Sequence, residues 1–263
     1  MSVRSFALSH PAADVLWEDL GLGSRPYPFD FPYAGRTEDE RRAIREAVYH
    51  DLQSRGLAAR GRATPEVEQV LTALVRFDFG VTAIASLDAN AVERQLLARG
   101  GAVGEMATLA VLDERMMRVD VLRSSALVRA VVDLVPPYRP GPGQSVAVPM
   151  PGGPTSPPRL DDFATATFTS TMTSRSATAA QTRALTAVFE RPRLRAGQFG
   201  VAVRGRHGRE TRSPQVAWFD NDQGRYLSLK RPGRDGRDWL TQAPADNSRI
   251  AAQLVQELTA LRT

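Results

Sequence analysis

The chain lacks most of the side chains that usually carry chemistry. Its 263 residues include no cysteine, which excludes disulfides, thiolate nucleophiles and cysteine-based metal centres, and suits a reducing compartment. Histidine is scarce. His10 precedes a proline, His50 falls on a helix-like run and His207 lies in a Gly/Arg loop; none forms an HExxH or other i,i+4 metal pair. No Gly-x-Ser-x-Gly elbow occurs. Gly21-Leu-Gly23-Ser and Gly205-Arg-His-Gly208 lack the Gly-Lys-Ser/Thr ending of a phosphate loop and read as turn glycines. No apolar run approaches the roughly 20 residues of a membrane span. The opening Met-Ser-Val-Arg-Ser-Phe-Ala-Leu-Ser-His has no signal-peptide architecture. A cytoplasmic location without membrane insertion is therefore expected.

Lysine is nearly absent too. Lys230 is the only one among 34 basic residues, and the formal net charge is +5. Arginine grips phosphates and carboxylates bidentately. GC-rich codon usage explains the same bias along with the abundant Ala, Gly, Pro and Val. The sharpest cluster is Arg191, Arg193, Arg195, Arg204, Arg206, Arg209 and Arg212. A strand track for phosphates would want stacking aromatics beside it. The nearby Phe199 alternates with Val201 and Val203 on an apolar face, so a solvated hairpin is expected, with an Arg-rich nucleic-acid-binding module as the alternative. The acidic pairs Asp113-Glu114 and Asp161-Asp162 read as a hairpin turn and a helix start, where carboxylates suit the helix dipole.

With 42% apolar and 24% charged residues the composition is that of a globular protein. Val3 to Ser9 alternates as a strand, and Ser9 caps a helix carrying Val15, Leu16 and Leu20. Residues 21–36 form a loop rich in Gly, Pro and aromatics. Thr37-Glu-Asp-Glu40 is a capping box ahead of Ile44, Val48 and Leu52. Thr64-Pro65 opens another helix. From Phe79 the period changes to two through Ala85. Glu93 to Arg99 and Glu105 to Leu112 read as one long strand bent at Gly100, Gly101 and Gly104. Met116 to Leu122 reads as the next strand, and Ser124 or Ser125 starts a helix with Leu127, Val128, Val131 and Val132.

Pro136 to Pro158 holds nine prolines and four glycines. It is expected to be an exposed connection, neither helix nor central strand. Beyond it the order repeats. Helices are expected over 160–174 and 176–190, strands near Gln198–Arg204, Gln215–Asp220, Arg225–Lys230 and Asp238–Ala243, and a last helix capped by Asp246 with Ile250, Leu254, Leu258 and Leu261 on its apolar stripe. Leu71-Thr-Ala-Leu-Val-Arg and Leu185-Thr-Ala-Val-Phe-Glu are similar local text. The expectation is an α+β protein: an antiparallel, meander-type sheet with helices on it and two pseudo-equivalent halves, 1–135 and 159–263, joined by 136–158.

Several of these segments together resemble the EspG family of ESX (type VII) secretion-associated proteins. They are Ser5-Phe-Ala-Leu-Ser, Asp14-Val-Leu-Trp-Glu-Asp-Leu-Gly-Leu-Gly, Arg25-Pro-Tyr-Pro, Thr37-Glu-Asp-Glu-Arg, Leu97-Ala-Arg-Gly, Val119-Asp-Val-Leu, Gly224-Arg-Tyr-Leu and Trp239 followed by Ala243-Pro-Ala-Asp246. The resemblance implies a single domain: a central antiparallel sheet, N-terminal and C-terminal helical bundles, and a quasi-two-fold repeat. It also implies a cytosolic chaperone rather than an enzyme, with no cofactor, as a monomer or weak homodimer. The implied partner is a PE–PPE-like or other WXG-type helical secretion substrate whose helical tip is gripped. On this sequence the gripping loop maps to Leu87, Asp88, Ala89 and Asn90 through Val92, with Glu93 and Arg94 at its exit. The bundle contribution maps to helices at 160–190 and 246–261, with Arg249, Gln253 and Gln256 as contacts. Relatives can carry a much longer loop, so this one would cover less of a partner. Asp88 and Asn90 are expected as polar rim contacts.

Overall fold

The computed structural model describes residues 5–91, 94–150, 183, 187–205, 208–233 and 236–263. The chain divides into two compact units. The first comprises Met1–Ala83, Leu96–Val131 and Val201–Thr211, and the second Ile84–Gln95, Val132–Gly200 and Arg212–Thr263. These units are interleaved along the chain.

Local capping starts the helices of the first unit where the sequence places them. Ser9 ends strand β1 (Ser5–Ser9) and its hydroxyl accepts from the Ala12 N–H, opening α1 (His10–Asp19). Thr37 does the same for α2 (Glu38–Ser54), accepting from the Glu40 N–H at 3.2 Å. The Glu40 carboxylate reaches one residue beyond the cap, to the Arg36 N–H at 2.7 Å. A short hairpin, β2 (Ala58–Ala59) with β3 (Arg62–Ala63), separates α2 from α3 (Pro65–Ala73), which Thr64 caps.

The strands of this unit follow the path β1-β7-β6-β5-β4-β9, built from β4 (Phe79–Ser86), β5 (Gln95–Val103), β6 (Met106–Leu112), β7 (Met116–Arg123) and the end of β9 (Arg195–Arg204). A 3₁₀ turn at Ser124–Ala126 leads into α4 (Leu127–Val132). The core gathers Leu8, Leu16, Trp17, Phe31, Leu52 and Leu71.

One expectation needs correcting here. Residues 95–112 are two antiparallel strands, with Val103 opposite Met106 and Gly104 in the turn at φ +57°. Gly100 and Gly101 lie inside β5. They are needed for close approach, not bending: a Cβ on Gly101 would stand 1.9 Å from the Ala73 carbonyl oxygen at the end of α3.

The second unit carries the path β4-β9-β11-β12-β13-β8, with β8 (Val146–Pro149), β11 (Val216–Asn221), β12 (Gly224–Pro232) and β13 (Asp238–Pro244); the short β10 (Glu210–Arg212) pairs with β9. Consecutive strands β11, β12 and β13 form the expected meander, antiparallel throughout. Asp246 caps the last helix, α5 (Asn247–Arg262), and Ile250, Leu254 and Leu258 are buried as the stripe predicts. The fold is thus α+β with a large antiparallel sheet and helices.

The expected exposed connection over 136–158 is mostly exposed over 136–150, yet it is also hydrogen-bonded to the sheet, which its proline content does not signal; residues 151–158 lie outside those described. Residues 136–143 run along the start of β12. The Arg225 N–H donates to the Arg139 carbonyl, and the Gly141 N–H donates back to the Arg225 carbonyl. Tyr138 donates its hydroxyl to the Asn221 carbonyl at 3.0 Å, and Tyr226 donates to the Pro142 carbonyl at 3.2 Å. Gly141 lies flat on the Tyr226 ring, where a Cβ would come within 2.1 Å. β8 then pairs antiparallel with β13. It is the last strand of its path, the place in a sheet that tolerates Pro149.

Candidate functional site

The loop between β4 and β5 closes on itself. Leu87 N–H donates to the Arg94 carbonyl at 2.8 Å, Arg94 N–H to the Ala91 carbonyl at 3.0 Å and Ala91 N–H to the Asp88 carbonyl at 3.2 Å. The Asp88 carboxylate accepts from the Asn90 N–H at 3.0 Å, an Asx turn, and pairs with Arg94 at 3.4 Å. Ser86 adds its hydroxyl to the Asp88 carbonyl. The structure therefore brings Leu87, Asp88, Ala89, Asn90 and Arg94 together. Asp88 spends its carboxylate inside the loop, whereas Ala89 and Asn90 face solvent and Leu87 is half-buried. Val92 and Glu93 lie outside the described residues.

A residue that sequence reasoning missed adjoins this loop. The Ala89 N–H donates to the Leu194 carbonyl at 3.0 Å, and the Leu194 N–H donates to the Asp220 carbonyl at 2.8 Å. Leu194 is thus tied by its backbone on two sides, with its side chain 43% exposed. It stands among the arginines of Glu190-Arg-Pro-Arg-Leu-Arg195. Exposure of one leucine at a strand start leaves no periodic signal.

On α5, Arg249 and Gln256 are exposed and Gln253 is half-buried. Gln253 donates its amide to the buried Glu257 carboxylate at 2.7 Å, which also pairs with Arg231. Between them, Val255 is 50% exposed. Ala252 and Thr259 share its side of the helix by i,i+3 and i,i+4 spacing, and Glu257 is turned inward. Of the helices expected over 160–174 and 176–190, residue 183 and residues 187–189 are helical, residue 190 is a turn, and the others lie outside those described.

The arginine cluster is largely engaged. Arg191 pairs with Asp222 at 2.6 Å and Arg195 with Asp220 at 3.5 Å. Arg193 stands 5.3 Å over the Phe219 ring, and burial holds its guanidinium below the usual arginine range. Arg204 donates to the Val75 carbonyl, pairs with Glu210 at 3.5 Å and covers Phe77. Arg206 and His207 lie outside the described residues. Such pairing leaves few open cations for a polyanion to neutralise, the source of affinity in nucleic-acid binding.

The other candidates are structural. Asp113 accepts from the Arg115 and Met116 N–H groups and from Arg118, and these bonds, the first above all, hold its carboxyl below the usual range. That is a turn's chemistry. Asp161 and Asp162 lie outside the described residues. His10 contacts the Asp113 carbonyl at 2.9 Å, and His50 is exposed on α2. Gly21 and Gly23 adopt φ +59° and +77°, as turn glycines do. Among the described residues no group of three His, Asp or Glu side chains could hold a metal ion, and no helix is long and apolar enough to cross a membrane.

Two comparisons bear on this surface. A family model described as EspG family matches residues 9–256. The chain is also similar to a solved structure of the Mycobacterium tuberculosis type VII secretion system chaperone EspG5 in complex with a PE25–PPE41 dimer. That match has 13% sequence identity and a TM-score of 0.65, covering 97% of this chain and 95% of that one. At this identity the likeness is one of fold. No curated protein matches.

Proposed function

Because this chain belongs to the EspG family, we propose that it is a cytoplasmic chaperone of type VII (ESX) secretion. It receives the helical tip of a PE–PPE-like client and keeps that client soluble for export. The match across residues 9–256 carries this reading. The second unit supports it: among its described residues the exposed large apolar side chains are Leu194 and Val255, and they adjoin the two groups of residues proposed for the partner. An apolar tip of a client aggregates unless something covers it. The activity is binding alone, with no residue assigned to bond making and no cofactor.

Leu87, Ala89, Asn90, Glu93 and Arg94 form the loop side of the proposed interface, with Asp88 beneath them. Arg249, Gln253 and Gln256 form the helix side. The fold proposed with it is a single EspG-like domain with helical bundles toward both chain ends and a quasi-two-fold repeat. Supporting it, α3 precedes and α4 follows the strands β4 to β7, while helical residues 187–189 precede and α5 follows β9 to β13. An experimental structure in which no rotation superposes the two sets would remove the repeat.

Co-expression with a PE–PPE-like pair from the same genome, followed by size-exclusion chromatography with light scattering, tests the function. A soluble co-eluting complex is expected, and a free chaperone that is a monomer or weak homodimer. A client that stays insoluble while the chaperone elutes alone would falsify the reading. The nucleic-acid alternative demands affinity that falls steeply with salt; given the pairing of the arginines, no such binding is expected.

A further inference from the structure

The geometry points to Leu194 as the apolar anchor that enters the client, with Asp88 as the positioning residue that holds it there and makes no client contact of its own. This inference rests on the chaperone reading and names how the loop side of that interface works.

The first observation is the tethering. A leucine side chain left 43% exposed gains by turning inward. The Leu194 N–H bond to the Asp220 carbonyl and its carbonyl bond from Ala89 fix the direction of the Cα–Cβ bond, leaving only rotamer changes to move the side chain. The second donor belongs to the loop, so the loop's internal bonds also fix Leu194. Asp88 caps Asn90 and pairs with Arg94, closing the turn that aims the Ala89 N–H. Rigid presentation of an apolar side chain lowers the ordering cost of binding.

The second observation is the charge around it, which fixes the kind of occupant. Arg94 is paired with Asp88, Arg191 with Asp222 and Arg195 with Asp220, and Arg193 lies over Phe219. Among the described residues, a surface settled on Leu194 thus covers charges that are paired, and lone charges are what make covering a polar rim costly. The fitting occupant is an uncharged, apolar helix end of the client. A phosphate backbone would have to displace Asp88 and Asp222 first.

The test compares Leu194→Glu, Asp88→Ala, Asp88→Asn and, as a control in the first unit, Val103→Glu, each titrated with the PE–PPE-like pair that the unaltered chaperone binds. Amide hydrogen exchange is followed in the free and bound states. Leu194→Glu is expected to weaken binding at least about tenfold, as loss of an interface anchor does, with unchanged thermal unfolding. Val103→Glu should leave binding unchanged. Asp88→Ala should speed exchange at residues 87–94 in the free protein and weaken binding by about threefold to tenfold, within the range for loss of a preorganising contact. Asp88→Asn, which keeps an acceptor for Asn90, should restore most of both. Should the unaltered protein bind no such pair, the chaperone reading itself fails and this inference with it. Should it bind the pair and Leu194→Glu bind equally well, the anchor alone is wrong. Asp88→Ala that weakens binding without faster exchange would make Asp88 a contact residue instead.

Discussion

Two buried arginines, Arg41 in the first unit and Arg225 in the second, are built differently. Arg41 in the first unit donates to Asp14 and Glu18 and to the Ala34 carbonyl, and lies over the Tyr33 ring. Its network leaks to the surface. Asp14 also takes Arg25, and Glu18, 48% exposed, also takes Arg45. Arg225 in the second unit is sealed. It makes a two-pronged pair with the equally buried Asp220 at 2.7 and 2.8 Å, donates to Asn247 and to the Pro136 carbonyl, and stands 4.6 Å from the Trp218 ring centre. Asn247 in turn donates to the Val135 carbonyl at 3.0 Å. The first arrangement joins neighbouring helices and a loop, with spare cations to neutralise Asp14. The second joins β11, β12, the start of α5 and the 132–136 segment, with Arg195 as a longer second pair on Asp220 at 3.5 Å. The same residue type is a shared charge in one unit and an indispensable bolt in the other.

Arg225→Met should break the comparison most visibly. It leaves Asp220 buried with only the distant Arg195, and a loss of about 3–5 kcal/mol is expected in urea unfolding. Adding Asp220→Leu should recover part of that loss, since apolar replacement of a whole pair is far milder than orphaning one charge. Arg41→Met should cost less, about 1–3 kcal/mol, because Arg25 stays on Asp14 and Glu18 reaches water. Equal losses at the two sites would erase the distinction between shared and sealed.

Alkaline titration sharpens it further. Burial, then the hydrogen bond to Asp19, pushes the Tyr49 hydroxyl up to about 12. A raised folded value means that the fold favours the protonated phenol. The associated stability is complete below the unfolded value of about 10 and is lost as pH rises through the folded value. Phenolate absorbance should lag that of exposed tyrosines, and Tyr49→Phe should flatten the alkaline slope of the first unit's unfolding. The smallest effects concern the helix caps. Asp246→Ala and Thr37→Ala should each cost about 1 kcal/mol by thermal unfolding. The former should be the larger, since its carboxylate sits 2.8 Å from the Arg249 N–H against 3.2 Å for the Thr37 hydroxyl.

What was legible in the sequence was local. Ser9, Thr37, Thr64 and Asp246 are read correctly as caps because a cap depends on the next three residues. The meander after residue 215 is legible from period-two runs between turn residues. Gly100 and Gly101 mislead because a glycine that admits a helix end onto a strand looks like a glycine that bends one. The hydrogen bonding of the 136–150 segment was not legible because its prolines hide carbonyls that accept from Arg225 and Tyr226, residues more than eighty positions away. The loop side of the candidate site was legible only through family resemblance. Leu194 and the Asp220–Arg225 pair were not, since exposure and long-range pairing are properties of the folded chain.

The interleaving of the two units has a consequence for inheritance. Residues 84–95 belong to the second unit but are encoded between segments of the first, and 201–211 are exchanged in the opposite sense. A gene fragment starting at residue 132 would keep Leu194 and α5, yet lose the loop that steadies that leucine. Neither unit can be duplicated, swapped or lost by recombination at a single point, so the two are bound to descend together.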